Sequence, residues 1–341
     1  MPADPSSPIP AALTHLAHTD PRELKDAEAP HLLAYLAAVP DPRATRGRRH
    51  PLVAILGLAA AAVLAGARSI AAIAEWAAET PQPVRAALGA HRDAPEQFAV
   101  PAEATIRRTL ARLDADALAG AIGAWLADRE RDRPRPAASR WRAIAVDGKT
   151  VRGARRKTAN GAGRPVHLLA AMDHTTRAVL TQRQVGRAPE EVPAFRPLLD
   201  GLDLADVVVT ADASRPTPRP PGFLVTDKQA HDLLVVKANQ PTLLDRCQRL
   251  PWQRVPVGDR TCDRGHGRIE LRTLKAVSVH HFEFPHAAQI LQVTRKVCDL
   301  GTRRWHTVVV YAITSLPFQQ ARPARLADLI RGHWMIENGL H

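Results

Sequence analysis

Two short apolar runs that each stop at an aspartate constrain this chain more than any other feature. Ala143-Ile-Ala-Val leads into Asp147-Gly-Lys149, and Asp206-Val-Val-Val-Thr-Ala leads into Asp212. Short apolar runs of this kind read as strands. They predict an α/β layer structure with carboxylates at strand ends. A third acid, Glu337, stands in His333-Trp-Met-Ile-Glu-Asn338, inside a C-terminal helical pattern. Strand ends and a late helix can bring three distant carboxylates to one point. Mg²⁺ prefers such hard oxygen ligands and keeps part of its water shell. Two ions about 3.5–4 Å apart can activate a nucleophile and stabilise the leaving oxygen of a phosphodiester. Asp147, Asp212 and Glu337 are therefore the candidate ligands of two Mg²⁺ ions, for which Mn²⁺ can substitute.

Charge points to the matching substrate. Lys and Arg outnumber Asp and Glu by 47 to 34, a formal net charge of +13 on 341 residues. Most of the positive charge is arginine, whose planar fork matches phosphate. GC-rich codon usage accounts for part of the arginine, alanine and proline, but not for the imbalance of sign. A polyanion is the expected partner. Cys247, Cys262 and Cys298 are widely spaced and form no CxxC pair, so a reducing cytoplasm is expected. The apolar run from Leu52 to Ala67 is shorter than the roughly 20 residues a membrane span needs and reads as a buried helix.

Along the chain, residues 1–27 are dotted with Pro and Asp and predict a disordered N-terminus. Residues 28–131 predict an all-α domain: a short helix from His31, one or two Ala-rich helices from Leu52 to Glu79 with a break near Gly66, and a helix at Pro83–Leu88. An amphipathic helix over Pro101–Leu113 follows, with Ile106, Leu110 and Leu113 on one face and Arg107 and Arg108 mostly off it. It reads equally as a recognition helix for a major groove or as an ordinary surface helix. Residues 132–140 form a linker. Strands then appear at Trp141–Val146, Val166–Met172 and Ala178–Val185, with a helix at Glu190–Leu202 and strands ending at Asp212 and Lys237. That β-β-β-α-β order is the order of a ribonuclease-H-like mixed sheet. Residues 241–318 read as a β-rich insertion, and Ala321–Leu340 as a closing helix.

Five segments in order carry a more specific signal: Asp147-Gly-Lys149, Thr210-Ala-Asp-Ala213, Val235-Val-Lys-Ala-Asn-Gln240, Asp263-Arg-Gly-His-Gly-Arg-Ile-Glu270 with Arg272, and Arg331-Gly-His-Trp-Met-Ile-Glu-Asn338. With these the chain resembles DDE transposases of ISAs-type insertion sequences, the group containing the H-repeat-associated proteins. The resemblance covers about residues 28–341. It implies an N-terminal associated domain for DNA binding or assembly and a ribonuclease-H-like catalytic domain over 141–341. It implies that Asp147, Asp212 and Glu337 hold two metal ions for attack by water, then by a DNA 3′-hydroxyl, with no covalent protein–DNA intermediate. The implied partners are double-stranded DNA, as terminal inverted repeats and target, and a second copy of the chain on that DNA. The implied location is the bacterial cytoplasm, on the nucleoid. Lys149, Lys237, Asn239, Gln240, His266, Arg268, Arg331 and His333 are candidate DNA contacts, with Arg107 and Arg108 in the N-terminal domain. His333, one helical turn before Glu337, serves equally as a packing residue.

Two departures from the family pattern bear on activity. Where the family has a helix-forming stretch, this chain has Ser214-Arg-Pro-Thr-Pro-Arg-Pro-Pro-Gly222, with Thr217 in place of a glutamine. Four prolines in six positions forbid a regular helix. A compensated frameshift in GC-rich codons would explain the run, and the gene sequence tests that. The chain also stops at His341, soon after Glu337. Both features predict a degenerate or truncated copy in which DNA binding outlasts catalysis. The alternative function is therefore a catalytically dead DNA-binding protein or repressor of related elements.

Overall fold

A computed structural model describes residues 32–46, 48–131, 142–156, 164–185, 191–213, 222–265 and 267–339. The chain divides into two units, Met1–Arg133 and Pro134–His341.

In the first unit, helices α1 (Leu32–Leu36), α2 (Leu52–Leu64), α3 (Ile70–Glu79) and α4 (Gln82–Ala87) precede a two-stranded hairpin, β1 (His91–Ala94) and β2 (Gln97–Ala99). Helices α5 (Glu103–Arg112) and α6 (Ala115–Arg131) complete it. Gly66, at φ +103°, makes the left-handed turn between α2 and α3, and Ser69 Oγ caps α3 by accepting from Ala72 N–H at 3.1 Å. Ile55, Ala59, Ala62, Ile73 and Ile106 form one core, and Leu36, Val39, Leu52 and Leu56 another. The hairpin corrects the expectation of an all-α domain. Its strands are short and mostly polar, so no alternating apolar pattern announces them.

The second unit is built on one nine-stranded mixed sheet. Its elements are β3 (Arg142–Arg156), β4 (Arg164–Asp173), β5 (Val179–Val185), α7 (Glu191–Leu199), β6 (Val207–Ala213), a π-helical turn (Phe223–Asp227) and β7 (His231–Val236). They are followed by α8 (Pro241–Gln248), β8 (Asp259–Gly265), β9 (Arg268–Ser278), β10 (Gln289–Asp299), β11 (Trp305–Thr314) and α9 (Pro323–Gly339). The strand order is β5-β4-β3-β6-β7-β11-β10-β9-β8. Only β3–β6 and β6–β7 are parallel. These are the central strands whose apolar runs are continuous, as burial on both faces requires.

Alternation along β3 divides the core. Ile144 and Val146 pack with Leu169, Phe195, Leu198 and Leu199, so α7 covers one face. Ala143 packs with Val208, Leu326, Leu329 and Ile330, and Ala145 with Met172 and Ile336, so α9 covers the other. The region after residue 240 begins with α8, and its strands extend the central sheet through four β11–β7 pairs, Tyr311↔Val236 to Thr314↔Leu233. One expectation is corrected here: Asp147 is not at a strand end, since β3 continues past it against β4, pairing Asp147 with Ala170 and Lys149 with Leu168.

A partly buried ion pair secures the start of β3. Arg142 Nε donates to Asp173 Oδ2 at 2.7 Å, and Asp173 Oδ1 accepts from the N–H groups of Thr175 (2.8 Å) and Thr176 (3.1 Å). Burial works against the charged form of Asp173, but these hydrogen bonds and the Arg142 charge outweigh it and hold the carboxyl below its ordinary 3.8. The contribution to stability is therefore complete above that ordinary value and is lost as pH falls through the lower folded one. Asp173→Asn is expected to destabilise the chain at neutral pH and to flatten the loss of stability below about pH 4, as measured by denaturation against pH.

Candidate functional site

The parallel seam between β3 and β6 places the two aspartates. Its last paired residues are Val146 and Ala211. Asp147 and Asp212 are the next residue on each strand, at one level on neighbouring strands about 4.8 Å apart. Both are half-buried. Residues two apart share a face of the sheet, so Asp147 follows Ala145, and Asp212 follows Val208 and Thr210, on the face that α9 covers.

Helix α9 lies over this point. His333 is fully buried, its Nδ1 3.2 Å from Thr210 Oγ1 and its Nε2 3.6 Å from Asp212 Oδ1. The second distance is too long for a hydrogen bond but close enough for ionic attraction. Ile336 packs on Ala145, two residues before Asp147. Glu337 follows Ile336 in α9, one turn beyond His333. The backbone thus carries Asp147 and Asp212 to one end of the β3–β6 seam, on the face covered by the helix that bears Glu337.

Lys237, just past β7, forms an ion pair with Asp212. Burial of Asp212 opposes ionisation, but His333 and Lys237 outweigh it and hold the carboxyl below its usual range. Asp212 is therefore an anion at neutral pH, as a ligand for a hard cation must be. Its seated ammonium is itself a cation held by that carboxylate. Among the described side chains no group of three or more His, Cys, Asp or Glu is arranged to hold a metal.

The other predicted residues divide by position. Lys149 is half-buried in β3, two residues beyond Asp147 and on the same face. Asn239 is exposed in the turn after β7. Gln240 Nε2 donates to Ala213 O at 3.0 Å, tying the start of α8 to the end of β6. Arg331 pairs with Asp328 and borders a cleft with Asp259, Arg272 and Trp334, away from Asp212. Two residues along a helix turn the side chain by about 200°, so Arg331 and His333 face different ways. Arg268 starts β9, four strands from β6, about 19 Å across the sheet. It is not brought to the aspartates within this chain. His266 lies outside the described residues, as do residues 214–221. In the first unit, Arg107 pairs with Glu103, Arg108 Nε donates to Ala104 O at 3.1 Å, and both are exposed on α5.

The sequence reading missed three members of this neighbourhood. His174 Nε2 lies 2.9 Å from Thr210 Oγ1, which joins it to His333. Gly332 permits that approach: a Cβ there would fall 2.7 Å from His174 Cε1 and 2.9 Å from Cγ. A glycine inside a helical pattern was the available signal.

Comparison with known proteins identifies the family. The family model described as "Transposase DDE domain" matches residues 139–341, and that described as "DDE_Tnp_1-associated" matches residues 33–126. The "Uncharacterized protein in dhlA 3'region" of Xanthobacter autotrophicus is 30% identical over 72% of this chain and 80% of its own length. The "Putative transposase YncI" of Escherichia coli O157:H7 is 28% identical over 91% of this chain and 78% of its own. The "H repeat-associated putative transposase YhhI" of Escherichia coli K12 is 24% identical over 92% and 82%.

Proposed function

The chain belongs to the transposase DDE domain family, and from that premise we propose that it is an insertion-sequence transposase that binds terminal inverted repeats and cuts and joins DNA at Asp147, Asp212 and Glu337. One observation carries the reading. Asp147 and Asp212 stand level on adjacent parallel strands beneath the helix that bears Glu337. A ribonuclease-H-like core is the fold this implies for the mixed sheet.

Two Mg²⁺ ions, or Mn²⁺ in their place, fit the donor set, which is hard oxygen from ionised carboxylates. Asp147, Asp212 and Glu337 would hold them. When bound, they supply activation of the attacking oxygen and neutralisation of charge at phosphorus. The protein's own residues position the DNA. Lys237, seated on Asp212, and Lys149, on the face of Asp147, bind backbone phosphates near the scissile bond. Incubation with end-labelled DNA carrying the element's terminal repeats and Mg²⁺ tests the reading. Cleavage at the repeat tips followed by strand joining is expected. Binding without cleavage would favour a second reading, a DNA-binding repressor of related elements, for which the proline run at 216–221 speaks.

The exposed Arg107 and Arg108 bind phosphates of the repeats for the first unit, in a complex that pairs two copies of the chain on bacterial nucleoid DNA. Every phosphate that a side chain neutralises adds about 0.9 to the slope with which log affinity falls against log salt. Arg107→Ala with Arg108→Ala should therefore flatten that slope by about 1.8 in a filter-binding titration. An unchanged slope would remove these residues from the interface.

A further inference from the structure

His333 has a partner that the metal site does not require. His174 directly follows β4, and its backbone N–H donates to Ala143 O at 3.0 Å, which anchors it beside the start of β3. Its ring Nε2 stands 2.9 Å from Thr210 Oγ1. The same hydroxyl stands 3.2 Å from His333 Nδ1. On the far side of that ring, Nε2 lies 3.6 Å from Asp212 Oδ1. Three side chains thus form a line, hydrogen-bonded through Thr210, that runs to the carboxylate.

Proton counting gives the line a direction. A neutral imidazole carries one ring proton and a threonine hydroxyl one. Burial pushes the His174 pKa down to about 4, so its ring is neutral at physiological pH. With the His174 proton on Nε2, it donates to Thr210 Oγ1. The hydroxyl has two acceptors within reach, His333 Nδ1 at 3.2 Å and Ile144 O at 3.5 Å. It donates to the nearer. His333 Nδ1 is then the acceptor, and the ring proton sits on Nε2, facing Asp212. The opposite order would turn a buried lone pair of His333 toward a carboxylate, which is repulsive at this range. Nε2 of His333 is buried and has no hydrogen-bond partner among the described residues. An N–H there points at Asp212 Oδ1, 3.6 Å away, and at an oxygen arriving beside it.

The geometry points to His174 as a positioning residue that, through Thr210, fixes His333 as an Nε2–H donor aimed at Asp212 and at an incoming phosphate oxygen. In this tautomer His333 Nε2 has no lone pair for a metal, which separates its role from that of the three acids. Gly332 makes the device possible, because any side chain at that point of α9 would overlap the His174 ring. The catalytic importance of this donor rests on the proposed role of Asp212; the tautomer does not.

The test is a two-bond ¹H–¹⁵N correlation on the full chain labelled with ¹⁵N-histidine, without metal or DNA. The His333 signals are assigned by their loss in His333→Gln. The wild-type chain should show His333 protonated on Nε2 alone. Thr210→Val and His174→Ala should raise the Nδ1–H population by about tenfold, the upper range for losing one hydrogen bond. Thr210→Ser, which keeps the hydroxyl, and His174→Gln, which keeps an N–H donor, should restore the wild-type tautomer. If the chain cleaves DNA, His174→Ala should lower kcat and leave KM unchanged, with His174→Gln recovering it. His333 protonated on Nδ1 in the wild-type chain, or a tautomer ratio indifferent to both Thr210→Val and His174→Ala, would overturn the inference. A chain that never cleaves DNA leaves the spectral result intact, so this inference and the proposed activity fail separately.

Discussion

Asp212→Asn is expected to leave DNA binding in place and to lower end cleavage by about 10²–10³-fold or more, the scale on which removal of one preorganised electrostatic group acts. Asparagine keeps the shape and one carbonyl oxygen but loses the charge. That charge is what Lys237 pairs with and what His333 faces. Without it, Lys237 is released and the seam between β3 and β6 holds only the Asp147 charge. Asp147→Asn should have a similar effect, because it removes the other carboxylate at the same level of the sheet. Groups that act as a unit are not additive, so the double variant should be little worse than either single one. Filter binding and cleavage of the same labelled ends separate the two effects. A loss of binding equal to the loss of cleavage would mean that the aspartates serve structure or DNA binding instead.

Gly332→Ala carries the second large effect. The added methyl would lie within 3 Å of two His174 ring carbons, where side chains essentially never approach. Either α9 lifts from the sheet or the His174 ring leaves Thr210. Overpacking of this kind costs typically about 1–3 kcal/mol. The cost has a specific cause, so it should largely vanish in a His174→Ala background. Urea denaturation of the wild-type chain, both single variants and the double variant closes the cycle, with an expected coupling of about 1 kcal/mol or more. Additive effects would mean that α9 and the His174 ring do not meet in this way.

The elements that place the site were legible because each carries its own local signal. The runs before Asp147 and Asp212 are too uniformly apolar for surface strands, and they are the buried parallel strands β3 and β6. The periodic Leu326, Leu329, Ile330 and Ile336 mark α9. What stayed hidden depends on residues distant in sequence. The join of β11 to β7 rests on four residue pairs more than 70 positions apart, and nothing in either strand names the other. His174 and Thr210 are polar residues in apolar surroundings, and their meaning comes only from the His333 between them and Asp212. That Arg331 and His333 face different ways was already legible, since two residues along a helix turn the side chain by about 200°. His333 itself was open between packing and function; it is fully buried, and it also faces the carboxylate.

The most direct test of the account is metal binding, because its centre is that three acids from distant segments hold ions in one place. Mn²⁺ titration followed by electron paramagnetic resonance, with DNA ends present, should find two sites in the wild-type chain. Asp147→Asn, Asp212→Asn and Glu337→Gln should each weaken that binding by at least about tenfold, the lower range for disturbing a metal's ligand surroundings. Mn²⁺ binding that is absent from the wild-type chain, or unchanged in all three variants, would contradict the claim that these carboxylates form one site.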